Sequence, residues 1–507
     1  MASASTWLTS VRPRWKSNAG FPSGLLVFLL ALLALAALCA HILGNGYQGS
    51  DALARYARVL IMRDASKLYI EDVGFLSPQV SPYLTLLLSG IPGISLTRVP
   101  YLLDILVASL FVTLVWRDLN KSHGLIFATL WTALLAAHPF FLWTALSGQD
   151  LALGLLCFYG LSRSLRRFRN DPEVFSYLRF AGWLCLLFFV DTRAMFIAVA
   201  LAPWLVLIAP PSLLRRAPLA FYLVCYVPFV FAVLGWAYLN WLFFNDALIF
   251  LKQTGSAFRG GFESTPYLPW LLEFGGQWWV PLIWLTAAGV MAFPSLLLAP
   301  WNVRPRAWVG PVIIACVTVC AGAMATLVWY TSEPVEFLAL LLAAAALGLR
   351  EMQRQRTVVT ALLLAGIPLG WIVMQQMPSP DMQPWTQALR ERVPAPITDE
   401  ALVGVWLADS SLPTLIDDQT GYAVIAARGN GRNLILPFSD RYKLAMATPD
   451  RMPPQIVVAE PGSQQTMEDA SNLHFPGLWA HGRPGYQLAY ERGAWRVWQK
   501  ENLSRLR

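Results

Sequence analysis

Long apolar blocks separated by short polar loops run through the first three-quarters of the chain. Blocks near 23–43, 99–116, 124–142, 148–164, 175–190, 194–212, 218–240, 279–299, 308–330, 335–349 and 357–376 are each close to the length a helix needs to cross hydrocarbon. Lipid offers the backbone no hydrogen-bond partners, so helix is the form expected for every one of them. The first block follows Arg12, Arg14 and Lys16. It is longer than the apolar core of a secretory leader and has no small-residue cleavage exit, so a retained anchor is expected. A semi-apolar stretch at 82–94 is too short to span and contains Gly90, Pro92 and Gly93. An interfacial helix on the membrane face fits it better.

After Gln376 the pattern changes to short apolar runs among Pro, Asp and Glu. Runs at 402–408, 423–427, 433–438 and 455–460 are expected to be strands, and 485–499 a terminal hairpin turning at Glu491–Gly493. Helical pieces are expected at 383–392 and 464–471. The predicted architecture is an α-helical polytopic membrane protein of about eleven spans with a small C-terminal α/β domain over 377–507.

Composition agrees. The 507 residues are 56% hydrophobic and only 13% charged, about half the charge of a soluble domain, and mean hydropathy is +0.50. The net charge of +8 does not indicate nucleic acid, because the basic residues sit mostly in short loops. Arg117 and Lys121, Arg163 to Arg169, Arg215 and Arg216, Arg304 and Arg306, and Arg350 to Arg356 fall on one side if the loops alternate. The opposite short loops, 144–148, 191–193 and 331–334, carry almost none. The positive-inside rule then puts the N-terminus in the cytoplasm and the C-terminal domain across the membrane, as in a bacterial inner membrane. The six cysteines all lie in apolar spans with no metal-ligand spacing.

Loop 44–98, on the outer side, breaks the charge rule with Arg55, Arg58, Arg63, Lys67 and Arg98. Either a loop this long escapes the rule, or it forms an anion site. Asp51, Arg55 and Arg58 fall on one helix face, where Asp51 can equally serve as an N-cap paired to Arg55. Asp150 opens a span on the same side, where a carboxylate also suits a helix dipole. His138-Pro139 precedes it, and Asp191-Thr192-Arg193 forms another outer turn in which acid and base can pair with each other. The long outer loop 244–278 holds Lys252, Arg259 and paired glycines, as lid or binding loops do.

Taken in order, these places resemble the glycosyltransferase C superfamily, polytopic enzymes that use lipid-phosphate sugars. The resemblance rests on Asp51-Ala52 followed by Tyr56-Ala57-Arg58, then Ser81-Pro82-Tyr83 with Leu86-Leu87-Leu88, then Arg98-Val99-Pro100-Tyr101 opening a span. His138-Pro139 with Ser147-Gly148-Gln149-Asp150, and Asp191-Thr192-Arg193, complete it. By motif it covers roughly residues 20–210. Three departures stand out. Ser50 replaces one of the paired acids, Arg193 lacks a following Pro-Glu-Gly, and 332–336 holds no arginine, which counts against donor-phosphate binding there.

The resemblance implies transfer of a sugar from a polyprenyl-phosphate donor to an extracytoplasmic glycan, lipid or protein acceptor. Asp51 is the expected general base, because an attacking hydroxyl must lose its proton. Asp150 is expected to orient the acceptor or hold a divalent metal, and no other cofactor is implied. Arg55, Arg58, Lys67, Arg98, His138, Arg193, Lys252 and Arg259 are the expected substrate-binding side chains, the cations stabilising the leaving phosphate. Membrane lipid is the remaining partner, and no nucleic acid is expected. Two other classes stay open. A transporter or flippase requires charged or broken helices at mid-membrane, which are nearly absent. A non-catalytic scaffold with a partner-binding outer domain suits the reduced acidic motif.

Overall fold

The computed structural model describes residues 21–65, 80–170, 174–244, 246–248, 250, 277, 279–298, 309–328, 334–352, 355–377, 379, 381–394, 398–448, 451–462 and 469–501. The chain is a multi-pass membrane protein built mainly of helix. Its helices are α1 (Phe21–Gly44), α2 (Ser50–Asp64), α3 (Val80–Ser89), α4 (Val99–His123), α5 (Leu125–Ala136), α6 (Pro139–Leu146), α7 (Leu151–Asn170) and α8 (Val174–Val190). Then come α9 (Ala194–Leu201), α10 (Leu205–Ile208), α11 (Pro211–Arg216), α12 (Pro218–Phe244), α13 (Trp279–Ala292), α14 (Val309–Val328), α15 (Pro334–Glu351) and α16 (Arg356–Gln375). Helix thus occupies each of the eleven apolar blocks.

Among the described residues, α1, α4, α12, α14 and α16 are each long and apolar enough to cross a membrane alone. The pair α5–α6, bent by 68° at its break, makes a sixth if the two together form one span. The break has a local cause. Pro139 takes the first position of α6, and His138 before it is extended (ψ 134°), the conformation a following proline imposes. α4 is the most buried of these helices, whereas α1 and α12 lie at the periphery. Leu26, Leu30 and Leu33 of α1 and Phe231 of α12 point outward, as lipid-facing residues must. Close helix contacts use glycine: a methyl at Gly160 would come within 2.6 Å of the Trp183 ring. The interfacial stretch expected at 82–94 is helical as α3, ending at Ser89, with Tyr83 and Leu87 exposed.

The C-terminal part begins with α17 (Met382–Ala388) and α18 (Asp399–Ala408), followed by β1 (Thr414–Leu415), α19 (Tyr422–Arg428), β2 (Leu434–Ile435), α20 (Asp440–Ala447) and β3 (Gln455–Ala459). It closes with α21 (Ala470–His474), α22 (Leu478–His481), β4 (Tyr486–Arg492) and β5 (Trp495–Lys500). The sheet order is β2-β1-β3-β5-β4. β1 pairs in parallel with β2 and β3, and β5 runs antiparallel to β3 and β4. β3 is buried along its whole length.

Two of the expected strands are helices. The run at 402–408 lies in α18 and the run at 423–427 in α19. Capping decided both. Thr398 accepts a hydrogen bond from the Ala401 amide, and Asp399 and Glu400 fill the first turn of α18. α19 ends on Gly429 in the left-handed region (φ 73°), its amide bonded back to Ile425 and Ala426. The run at 433–438 holds only the two-residue β2, while β3 and the terminal hairpin lie where expected, the turn falling at Gly493 and Ala494. The piece at 383–392 is helical as far as Ala388, and most of 464–471 lies outside the described residues.

This small domain sits directly on α2. Tyr56, Ala57, Leu60 and Ile61 share one apolar cluster with Val403, Leu407, Val424 and Ile425. Gly431 approaches so closely that a Cβ there would stand 2.7 Å from the Ile61 Cα. Asp64 accepts the Gly431 amide at 2.9 Å.

Candidate functional site

Three segments distant in sequence are pressed together where α2 begins. The Gly49 amide donates to the Tyr101 hydroxyl at 2.9 Å, and the Tyr47 hydroxyl donates to the Ser147 carbonyl at 3.1 Å. Gly148 has φ 82°, and a Cβ on it would stand 2.7 Å from that of Ala52. Such contact requires glycine at that position. The junction brings α2, the start of α4 and the loop before α7 to one place.

Arg55 is buried at its centre. Its Nη2 donates to Asp104 Oδ2 at 2.8 Å and its Nη1 to Oδ1 at 3.2 Å, a two-pronged pair. Nη2 also donates to the Pro100 carbonyl at 2.9 Å, and Nη1 to the Ser81 hydroxyl at 3.3 Å. Asp150 lies 3.5 Å from Nη1. The guanidinium is therefore held by acids on two other segments.

Asp51 is not the N-cap of α2; Gly49 is. Its side chain is exposed in the first turn, within electrostatic reach of Arg55 and of Tyr422 in the small domain. Beside it, where the resembled family has another acid, the Ser50 amide and hydroxyl donate to Asp381 Oδ2 at 2.8 and 2.6 Å. A carboxylate thus stands at this spot, supplied from beyond the last span. Burial raises the Asp381 pKa against the opposing effect of the two Ser50 hydrogen bonds.

Asp150 immediately precedes α7 with φ 63°. An N-cap is normally extended, so this left-handed residue is not capping in the usual manner. It forms part of the wall of a small cavity of about 40 Å³, together with Asp191, Arg193 and Glu336. The rest of that wall is largely apolar, from α8, α9 and α15.

Arg193 is clamped. Its Nε donates to Asp191 Oδ2 at 2.7 Å and its backbone amide to Oδ1 at 2.8 Å. Its Nη1 pairs with Glu336 in the first turn of α15. The self-paired turn is therefore extended by an acid from a later helix.

The other candidates are dispersed. Arg58 pairs with Asp418 of the small domain. His138 is buried, 3.0 Å from the Ala292 carbonyl through Nε2 and stacked on Phe293 at 4.4 Å, and so packs the α5–α6 break. Arg98 is exposed in the short turn before α4, away from the cavity wall. Lys67, Lys252 and Arg259 lie outside the described residues. Among the described residues no cluster of His, Cys, Asp and Glu has the makings of a metal site.

No family model and no curated protein matches the sequence. Solved structures do. The crystal structure of ArnT from Cupriavidus metallidurans bound to undecaprenyl phosphate covers 94% of this chain and 98% of its own, with a TM-score of 0.54 at 12% identity. The chain shares the fold of ArnT. The apo structure of ArnT from the same organism covers the same shares at 13% identity, with a TM-score of 0.42. The likeness runs through both the helical bundle and the small domain, so the ArnT-like frame holds both the buried Arg55 junction and the Arg193 cavity.

Sequence reasoning found Arg55, Arg193 and Asp150 but not that Asp104 pairs with Arg55 and Glu336 with Arg193, nor that Asp381 accepts from Ser50 beside Asp51. Glu336 carried a readable cue, being an acid at the start of an apolar helix, where the cost of charge points to function or pairing.

Proposed function

We propose that the protein is a membrane glycosyltransferase that moves a sugar from a polyprenyl-phosphate donor to an extracytoplasmic acceptor. The observation that carries this reading is the cavity joining Asp150 to the Asp191–Arg193–Glu336 cluster, set in a full-length ArnT-like fold. The undecaprenyl phosphate held by the crystallised ArnT supports a lipid phosphate as the leaving group here.

In this reading the acceptor hydroxyl gives its proton to a carboxylate as its oxygen attacks the anomeric carbon and the bond from that carbon to the phosphate oxygen breaks. Asp51 and Asp150 are the two candidate bases. Asp150 is the one that lines the cavity, where its carboxylate, 3.5 Å from the Arg55 guanidinium, stands in place to take a proton. Arg193 is the cation that meets the phosphate, which must draw its Nη1 away from Glu336. The predominantly apolar wall suits the lipid portion of a donor. The proposed orientation puts the cavity and the small domain outside the cytoplasm, following the positive-inside pattern.

The test is sugar transfer from polyprenyl-phosphate donors by purified protein in nanodiscs. Asp150→Asn is expected to lower the rate by roughly 10²-fold or more, the usual worth of a general base, and Asp51→Asn to lower it less. If Asp51→Asn alone removes activity, the base assignment moves to Asp51. If both variants keep wild-type rates, the proposed chemistry is wrong.

A further inference from the structure

A second, open cleft of about 410 Å³ lies between the end of α2 and the small domain. Arg63, Arg428 and Arg432 contribute to its wall, with Ser410, Ser411 and Asn430. Arg428 is the unusual member. It is only 4% exposed, yet its one hydrogen bond through the guanidinium is from Nη2 to the Ser410 carbonyl at 3.2 Å. Its Nε and Nη1 are buried without an acceptor, and no carboxylate pairs with it among the described residues.

Leaving a guanidinium in this state is costly. Taking such a cation out of water costs several kcal/mol, which an acid normally offsets, and buried donors are nearly always satisfied. The other buried arginine among the described residues, Arg55, has Asp104. Burial lowers the Arg428 pKa with no opposing charge nearby. The two carboxylates on the cleft wall do not relieve it. Asp64 spends Oδ1 on Arg63 and Oδ2 on the Gly431 amide, and Asp409 is exposed at the end of α18.

We infer that this cleft binds a phosphate group, with Arg428 as its central charge and Arg63 and Arg432 as its rim. Three guanidinium groups, the Ser411 hydroxyl and the Asn430 amide suit a tetrahedral dianion with several oxygens better than they suit a single carboxylate. The ligand is a phosphate monoester, free or carried on a lipid headgroup. Because Arg63 belongs to α2 and the other arginines to the small domain, a bound phosphate also fastens the two together. The inference is independent of the transfer chemistry: none of these residues lines the Arg193 cavity.

The experiment uses the full-length protein in two kinds of nanodisc, one of phosphatidylcholine and one containing phosphatidic acid, a lipid phosphate monoester. Thermal stability is followed as inorganic phosphate is titrated into the first, and compared between the two without phosphate. Stabilisation by phosphate in phosphatidylcholine discs identifies a soluble phosphate ligand; stabilisation only in phosphatidic acid discs identifies a lipid headgroup. In either case Arg428→Gln is expected to abolish the response. The exposed pair Arg63→Gln with Arg432→Gln, which does not disturb the buried core, should weaken it roughly tenfold or more, the worth of a charged hydrogen bond. The inference is overturned if neither ligand stabilises the wild type. It is equally overturned if the Arg63/Arg432 variant responds as the wild type does.

Discussion

Arg55 is expected to be the electrostatic keystone of the junction between α2, α4 and the loop before α7, and a double-mutant cycle can measure it. Its fork sits 2.8 and 3.2 Å from the two oxygens of Asp104, whose side chain is 1% exposed. At about 3 Å and an effective dielectric of about 20, the attraction is on the order of 5 kcal/mol. Desolvating the two ions costs several kcal/mol each, so the intact pair contributes little net stability. Breaking it is another matter. Arg55→Met leaves the Asp104 carboxyl buried without its partner, so that it must either carry a stranded charge or take up a proton, and is expected to cost about 3–5 kcal/mol. Adding Asp104→Asn removes the stranded charge and should recover most of that, leaving about 1–2 kcal/mol for an imperfectly bonded amide. Asp150, 23% exposed and 3.5 Å away, keeps access to water, so Asp150→Asn should cost about 1 kcal/mol or less. The assay is equilibrium unfolding in mixed detergent micelles, comparing wild type, the single variants and the double variant. A cost below about 1 kcal/mol for Arg55→Met, or no recovery in the double variant, would refute the reasoning.

Further predictions concern the small domain and the orientation. Asp418→Asn should loosen the hold on Arg58, so limited proteolysis between the last span and the domain should proceed several-fold faster than in wild type. The Asp417 carboxyl is pushed up to about 7, first by burial and then by Asp418 and Asp469. A raised acid holds its proton in the fold and loses it in the unfolded chain, so stability should fall as pH rises from about 4 to about 7 and level off above that. Asp417→Asn should flatten that decline, read as the thermal midpoint of the full-length protein at pH 5 and pH 7.5. A reporter active only outside the cytoplasm should work when fused after Arg507 and stay silent when fused after Arg167; the reverse would overturn the orientation.

The bundle was legible in the sequence because hydrocarbon imposes a one-dimensional rule: an apolar run of sufficient length has to become helix. The small domain follows no such rule. Its β-branched runs at 402–408 and 423–427 look like strands until Thr398 and Gly429 are recognised as helix boundaries. Of the candidate site, Asp150, Asp191 and Arg193 were visible because charges at the ends of spans are conspicuous. Their arrangement was not, because Glu336 reaches Arg193 from a helix far along the chain. Arg58 gave no hint in sequence that its partner was Asp418 rather than a ligand. His138 stood out by residue type alone, although its role in the fold is to pack the α5–α6 break.

The seating of the small domain on α2 also bears on how the molecule is made. Arg58 waits 360 residues for Asp418, and Ser50 waits 331 for Asp381. α2 is synthesised right after the first span, yet the apolar face formed by Tyr56, Leu60 and Ile61 stays uncovered until the last part of the chain has been made. At about 5–20 residues per second, that interval is tens of seconds, far longer than helix formation needs. The early α2 segment must therefore persist as an unfinished surface, and the junction around Arg55 gains its final cover only when the C-terminus arrives. Stop codons late in the chain thus strike an element laid down near its start.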